Sequence, residues 1–283
     1  MSYNSKNRAD KKTMPLYIVA TPIGNLEDIS LRALRTLREV KLIAAEDTRR
    51  TKQLLASYDI KTPTTSYHEH NKLTKLDYIL DCLSEGDVAL VSDAGMPGIS
   101  DPGHELIVAA HERGIPVVPI PGASVVITAL AVSGMDTERF SYLGFLPHKA
   151  GARQKLLKSI AGEPATIVVF ETPHRLKAAL DDILEVLGDR EMAVCRELTK
   201  LHEEVFRGKV SQAIEHFTAP RGEFTLVIAG QKEVAKPQLT EAIEKELHEM
   251  RRSGVGAKEA VAKVAEETGL SKKELYRAWL KSG

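Results

Sequence analysis

From residue 16 to residue 120, short apolar runs alternate with amphipathic stretches, and this alternation limits the fold more than any other feature of the chain. The runs at 16–20, 42–45, 88–91 and 117–120 have the length and bulk of buried strands. Between them, 31–40, 51–58, 75–83 and 105–113 carry helical spacing. Such an order implies right-handed crossovers and a mainly parallel sheet. Residues 64–67 add a strand candidate, and 123–132 read as an apolar helix stopped by Gly134.

A polar break at 135–139 precedes a second set, and the domain boundary is expected there. Strand-like runs at 140–145, 166–170, 192–195, 205–207 and 224–229 flank helical stretches at 154–160 and 176–187. Some of these connections are too short for a crossover helix, so the second sheet is expected to be mixed. A linker containing Pro237 follows at 234–238, and 239–283 has helical periodicity with no strand signal. The expected organisation is a flexible tail at 1–14 and an N-terminal α/β domain at 15–135. A second α/β domain at 136–233 and a small helical module at 238–283 follow.

Composition narrows the class. With 43% hydrophobic residues the chain has material for real cores, and Lys+Arg and Asp+Glu balance at 39 each. A zero net charge neither requires nor excludes a nucleic-acid partner, since a local basic patch is what matters. Cys82 and Cys195, each in an apolar stretch, fit a reducing, cytoplasmic setting. The polar start, with Lys6, Arg8, Lys11 and Lys12, lacks the apolar core of a secretory signal, and no apolar run is long enough to span a membrane.

In parallel sheets ligands bind at the carboxyl ends of strands, and here those ends are rich in glycine, proline and acidic residues. The loops are 21–28, 46–50, 92–103, 119–124 and, in the second domain, 171–175. Glycine lets the main chain approach a ligand, and proline stiffens the loop. Taken singly, Asp101 before Pro102, Thr172 before Pro173, and Asp47 or Thr48 read as ordinary helix starts. Gathered at one sheet edge, the loops exceed what plain turns need. No dinucleotide fingerprint, phosphate-cradling ATPase loop or nucleophile elbow is present. His68 and His70, sharing one face of a strand, lack the third ligand of a metal site, so no metal is expected.

Residues 21–34, the Glu46-Asp47-Thr48-Arg49 turn, the 92–103 loop and Pro121-Gly122-Ala123-Ser124 together resemble the tetrapyrrole methylase superfamily. Within it they resemble most the ribosomal RNA small-subunit methyltransferase I branch, from about residue 16 to residue 230. The resemblance implies S-adenosylmethionine folded in a cleft between two α/β domains. It also implies a homodimer and 2′-O-methylation of a cytidine near the decoding centre of 16S rRNA. Two departures from the wider superfamily argue against a tetrapyrrole acceptor: Asn25 where an aspartate is usual, and Ser92-Asp93-Ala94-Gly95 in place of Gly-Asp-Pro. An amide at Asn25 cannot serve as a base.

Carried over by resemblance, the cofactor site comprises Pro22, Gly24, Ser92, Asp93, Ala94, Gly95, Ile99, Ala123, Ser124, Phe170, Glu171, Phe224 and Thr225. Main-chain groups should dominate, with Asp93 meeting an ammonium or ribose hydroxyls. Plain core packing is the alternative for Phe170 and Phe224. Methyl transfer from a sulfonium is an in-line displacement with a neutral leaving group, so the enzyme must chiefly hold the acceptor behind the methyl. A ribose hydroxyl is a weak acid, so a nearby base should help; Glu46 and Asp101 are the candidates, with Glu171 behind them.

Arg49, Arg50, His68, His70, His174 and Arg175 lie on the same loops as candidate RNA-phosphate ligands, or else pair with neighbouring carboxylates. Near the end, a helix, a turn at Gly269, Ser271 as N-cap and a second helix resemble a helix-turn-helix. Lys272, Lys273, Arg277 and Lys281 lie in or just after that second helix, as RNA-backbone ligands or as part of a docking module. The expected partner is small-subunit rRNA, naked or in the assembled subunit, with no membrane. Two alternatives remain: the same cofactor with a tetrapyrrole or protein acceptor, and a ligand-sensing nucleic-acid-binding protein.

Overall fold

The computed structural model describes residues 14–231 and 239–281. The expected tail up to residue 13 and the linker at 234–238 lie outside them. Two compact units result, Met1–Gly230 and Gln231–Gly283.

The first sheet is all-parallel. Its strands are β1 (Leu16–Val19), β2 (Leu42–Ala45), β3 (Thr64–Ser66), β4 (Val88–Val91) and β5 (Val117–Ile120), in the order β3-β2-β4-β1-β5. Every residue of β2 and β4 is buried, as central strands covered on both faces must be. Side chains alternate between two cores. Ile43, Ala89 and Val91 meet Ala33 and Leu37 of helix α1 (Leu31–Glu39), while Ala44 and Leu90 meet Ile79 and Leu106 of two later crossover helices. The remaining crossover helices are α2 (Thr48–Ala56), α3 (Lys72–Cys82) and α4 (His104–Glu112). Ser30 caps α1 by accepting from the Ala33 N–H at 3.1 Å.

Helix α5 (Val125–Ser133) ends at Gly134, whose φ of +76° is left-handed, as a glycine stop requires. Ala129 and Leu130 of α5 pack on Val168, Ala193, Cys195 and Val227. This helix follows the first sheet in sequence but packs against the second.

The second sheet is mixed, as expected. Strands β6 (Phe140–Phe145), β7 (Thr166–Glu171), β8 (Glu191–Arg196), β9 (Glu204–Lys209) and β10 (Phe224–Ile228) run β6-β7-β10-β8-β9, and only β6 and β7 are parallel. Its other face packs on α6 (Ala150–Ser159) and α7 (Pro173–Leu187) through Ile167, Val169, Leu157, Leu176 and Ile183. Helix α8 (Val210–His216) has no counterpart in the sequence reading; at 7 residues it is too short to show a period.

The second unit holds α9 (Glu241–Arg252), α10 (Ala257–Thr268) and α11 (Lys272–Lys281), around Leu247, Val264, Leu275 and Trp279. Gly269 takes the left-handed C-cap at φ +71°, and the Ser271 hydroxyl accepts from the Glu274 N–H at 3.2 Å. Among the described residues no helix is long and apolar enough to cross a membrane.

Candidate active site

Parallel pairing brings the loops after β1, β2, β4 and β5 to one sheet edge, and a hydrogen-bond web fixes them there. Thr21 and Gly95 exchange main-chain bonds at 2.9 and 3.0 Å, and the Thr21 hydroxyl donates to the Ser92 carbonyl at 3.2 Å. The Asp93 N–H donates to Glu46 Oε2 at 3.1 Å, and Asp93 Oδ1 accepts from the Asp47 N–H at 3.1 Å. Arg50 pairs with Asp93 at 3.2 Å. Asp93 thus ties the β4 loop to the β2 loop with both carboxylate oxygens.

The second sheet supplies the facing wall. Phe170 lies with its ring centroid 5.1 Å from that of Tyr142 and 5.5 Å from that of Phe145. These rings, with Phe224, Ile99 and Val125, enclose a cleft of about 420 Å³. Asp93, Ala94, Gly95, Ile99, Ser124, Phe170, Glu171, Phe224 and Thr225 all line it, as do Glu46 and Asp101. Pro22, Gly24 and Ser92 line an adjoining hollow of about 390 Å³ that shares Arg50, Asp93, Ala94 and Glu223 with the cleft. Ala123 lines neither; its carbonyl instead lies beside Gly95.

The carboxylates differ in state. Burial raises the pKa of Asp101 to about 6, and the nearby Glu46 charge adds to the rise. Burial also raises Glu46, against the hydrogen bond it accepts from the Asp93 N–H. Glu171 is enclosed: its Oε1 accepts the Thr172 N–H at 2.8 Å, and Oε2 faces Arg175 at 3.2 Å without accepting a hydrogen bond. Glu171 is thus the most closely engaged of the three candidate bases.

Helix-start readings divide. Asp47 does cap α2, accepting from the Arg49 N–H at 2.8 Å, and Arg49 holds its carboxyl below the usual range. Thr172 stands at the N-cap of α7 with Pro173 inside it, but its side chain makes no capping bond. Asp101 does not cap α4, which starts at His104 with Gly103 at its N-cap, four residues after the strained Ser100 at φ +62°.

The expected RNA ligands are scattered. Arg49 is exposed beside Asp47. Strand β3 stops at Ser66, so His68 and His70 do not share a strand face; they follow it, with rings 6.0 Å apart. Both line a separate chamber of about 640 Å³ with Glu46, Ser100, Asp101 and His104. His174 is exposed. Arg175 turns inward, donating to the Leu146 carbonyl and pairing with Glu171, and is withdrawn from the surface. Lys272, Lys273 and Arg277 are exposed on α11, and the side chain of Lys281 lies outside the described residues.

The sequence profile of the tetrapyrrole (corrin/porphyrin) methylases matches residues 15–214. A protein of Halalkalibacterium halodurans named ribosomal RNA small subunit methyltransferase I is 47% identical, over 97% of this chain and 96% of its own. The chain belongs to the ribosomal RNA small subunit methyltransferase I family of tetrapyrrole methylases. Its Thermotoga maritima member is 54% identical over 77% of this chain and 99% of its own length. In fold, the chain is similar to the uroporphyrin-III-C-methyltransferase of Thermus thermophilus, with a TM-score of 0.54 at 20% identity, covering 75% of this chain and 93% of that one.

In this methyltransferase family member the sequence reading missed Tyr142, Phe145 and Glu223 of the cleft. Tyr142 and Phe145 sit on either side of a register shift against β7, which brings both onto the Phe170 ring. Strict alternation along β6 would have put them on opposite faces.

Proposed function

We propose that this chain transfers the methyl group of S-adenosylmethionine to the 2′-hydroxyl of a cytidine in small-subunit rRNA. The observation that carries the reading is the position of Asp101, a half-buried carboxylate common to the aromatic cleft and the polar chamber. The donor set of the cleft suits the cofactor. Phe145 and Phe170 offer faces for an adenine, and Glu46 and Asp93 offer negative charge to a sulfonium and an ammonium, while Phe224 packs in the core behind them and Glu171 is held by Thr172 and Arg175. Bound there, S-adenosylmethionine supplies an electrophilic methyl group.

The residues of this chain then have separate tasks. The Thr21–Gly95 bridge and the Asp93 bonds hold the β4 loop rigid, so little ordering is left for binding. Asp101 accepts the proton of the attacking hydroxyl, and its pKa of about 6 keeps it ionised yet basic near neutral pH. Arg49, Arg50 and His174 contact phosphates, and Lys272, Lys273 and Arg277 add backbone contacts from the helical unit. The reading includes a cytoplasmic homodimer, with two α/β lobes meeting near residue 135.

The test is transfer from labelled S-adenosylmethionine to small subunits purified from cells lacking the gene, with the nucleoside identified by mass spectrometry. Labelled 2′-O-methylcytidine is the expected product. Intact cofactor binding with no label in RNA would overturn the acceptor.

A further inference from the structure

We infer that the chamber beside Asp101 is the acceptor subsite, seating one unpaired ribonucleotide, with His68 as the residue that positions it. The inference rests on the reading that the acceptor is an RNA ribose. An in-line displacement needs donor and acceptor on opposite sides of the moving carbon, so two substrates must meet at a shared wall. The cleft and the chamber have such a wall: Glu46, Ser100 and Asp101 line both.

The two compartments differ in chemistry. Aromatic rings line the cleft, whereas the chamber has none beyond imidazoles, and Pro102 is its one bulky apolar side chain. At about 640 Å³ it falls in the range of small-molecule sites, roughly 300–1,000 Å³. Walls of this kind recognise an acceptor by hydrogen bonds, which suits ribose hydroxyls and the polar edge of a base and not a planar macrocycle; with Glu46, Glu69, Asp101 and Glu105 facing the already paired Lys72, they leave the flanking phosphates outside. A nucleotide stacked and paired in a duplex could not enter; an unpaired or extruded one can.

The lysine of the chamber is already engaged, since Lys72 pairs with Glu69 at 2.8 Å and with Glu105. His68 is held in place but left with capacity. Its main-chain N–H donates to Asn71 Oδ1 at 2.8 Å, and Asn71 Nδ2 in turn donates to Ser66 Oγ at 2.9 Å. Its Nδ1 is buried and has no hydrogen-bond partner. A buried polar atom without a partner is costly, and a ligand that satisfies it recovers that cost.

The test compares full-length wild type, His68→Ala, His68→Asn and His70→Ala. Affinity for S-adenosylmethionine is measured by calorimetry, and affinity for a fluorescent single-stranded oligoribonucleotide containing cytidine by anisotropy. The expected result is a loss of RNA affinity of roughly threefold to tenfold in His68→Ala at unchanged cofactor affinity. His68→Asn, which returns an amide near the position of Nδ1, should recover most of it. Unchanged RNA affinity in His68→Ala overturns the inference. If His68→Ala also loses the cofactor, its fold is damaged, and the exposed His70→Ala decides on the same threshold. A wild type that binds the oligomer but methylates no RNA sinks the functional reading and with it the acceptor role of the chamber, whereas unchanged RNA affinity in His68→Ala alongside methyl transfer sinks the inference alone.

Discussion

The Tyr142 phenol donates a hydrogen bond to Ser100 Oγ at 2.8 Å, joining a strand of the mixed sheet to the long loop of the parallel one. Ser100 sits at a φ of +62°, which costs a non-glycine residue energy that its surroundings must supply. Tyr142→Phe removes the bond and leaves the ring packing against Phe170. The expected result is a rise of roughly threefold to tenfold in the Kd for S-adenosylmethionine, with a nearly unchanged melting temperature. Calorimetry on the two proteins decides, and an unaltered Kd would mean the loop holds its shape without this bond.

Asp101 links rate to stability through one proton. Its pKa of about 6 in the folded chain stands above the ordinary 3.8, so between those values the folded state retains a proton that the unfolded chain has lost. The stability this group contributes is full below pH 4 and disappears as the pH rises through about 6. Asp101→Asn should therefore raise stability at pH 7 by about 1 kcal/mol, allowing for solvent screening at this partly exposed site, and change little at pH 4. The same variant should lose roughly 10²–10⁴ in methyl transfer and the rise of rate with pH centred near 6. Denaturation curves at both pH values and a pH–rate profile check the two halves independently.

Gly24 lacks room for a side chain. A Cβ there would stand 2.5 Å from Thr199 Oγ1 and 2.8 Å from the Leu198 carbonyl oxygen. Gly24→Ala should push the 198–200 turn away and cost roughly 1–3 kcal/mol. Gly151, in the first turn of α6 with nothing within 4 Å, is the control: Gly151→Ala should be neutral or stabilising by up to about 1 kcal/mol. Chemical denaturation of both variants tests the contrast.

Arg153 and Asp182 form a buried pair between α6 and α7, with Nε donating to Oδ2 at 2.6 Å and side-chain exposures of 6% and 11%. Removing one partner strands the other charge. Arg153→Met should destabilise by about 3–5 kcal/mol, and adding Asp182→Leu should recover much of that loss. A double variant no more stable than Arg153→Met would show that packing around the guanidinium, and not its charge, is what counts.

The periodicity of the chain made both sheets legible, because β2 and β4 are apolar throughout and the crossover helices carry clear spacing. The edge where a cleft forms was legible from the loops that follow strand ends, and Asp93 and Ile99 of those loops line it, as does Phe170 near the end of β7. What sequence could not supply was direction. Arg175 reads either as a phosphate ligand or as a partner of a neighbouring carboxylate, and its inward turn to Glu171 is what selects the second. His68 and His70 read as strand neighbours, yet β3 ends two residues before His68. Asp101 reads as a cap, and only the start of α4 at His104 shows it to be free for the site. Each depends on where an element stops, which periodicity leaves uncertain by a few residues.

The helical unit should be separable from cofactor binding. It has its own core, and the Arg251 guanidinium bonds the Trp279 carbonyl at 2.9 Å to join α9 to α11. The Thermotoga maritima relative aligns over 99% of its length with only 77% of this chain, so it has no counterpart for about a quarter of it. Truncation before residue 239 is therefore expected to leave the Kd for S-adenosylmethionine within about twofold. Affinity for RNA should fall, because Lys272, Lys273 and Arg277 are exposed cations on α11. Each phosphate contact contributes about 0.7–0.9 to the slope of log affinity against log salt, so the truncated chain should show a slope shallower by roughly 2–3. A salt titration of RNA binding reads this directly. An unchanged slope would show that the three helices serve docking or assembly and leave the RNA to the α/β unit.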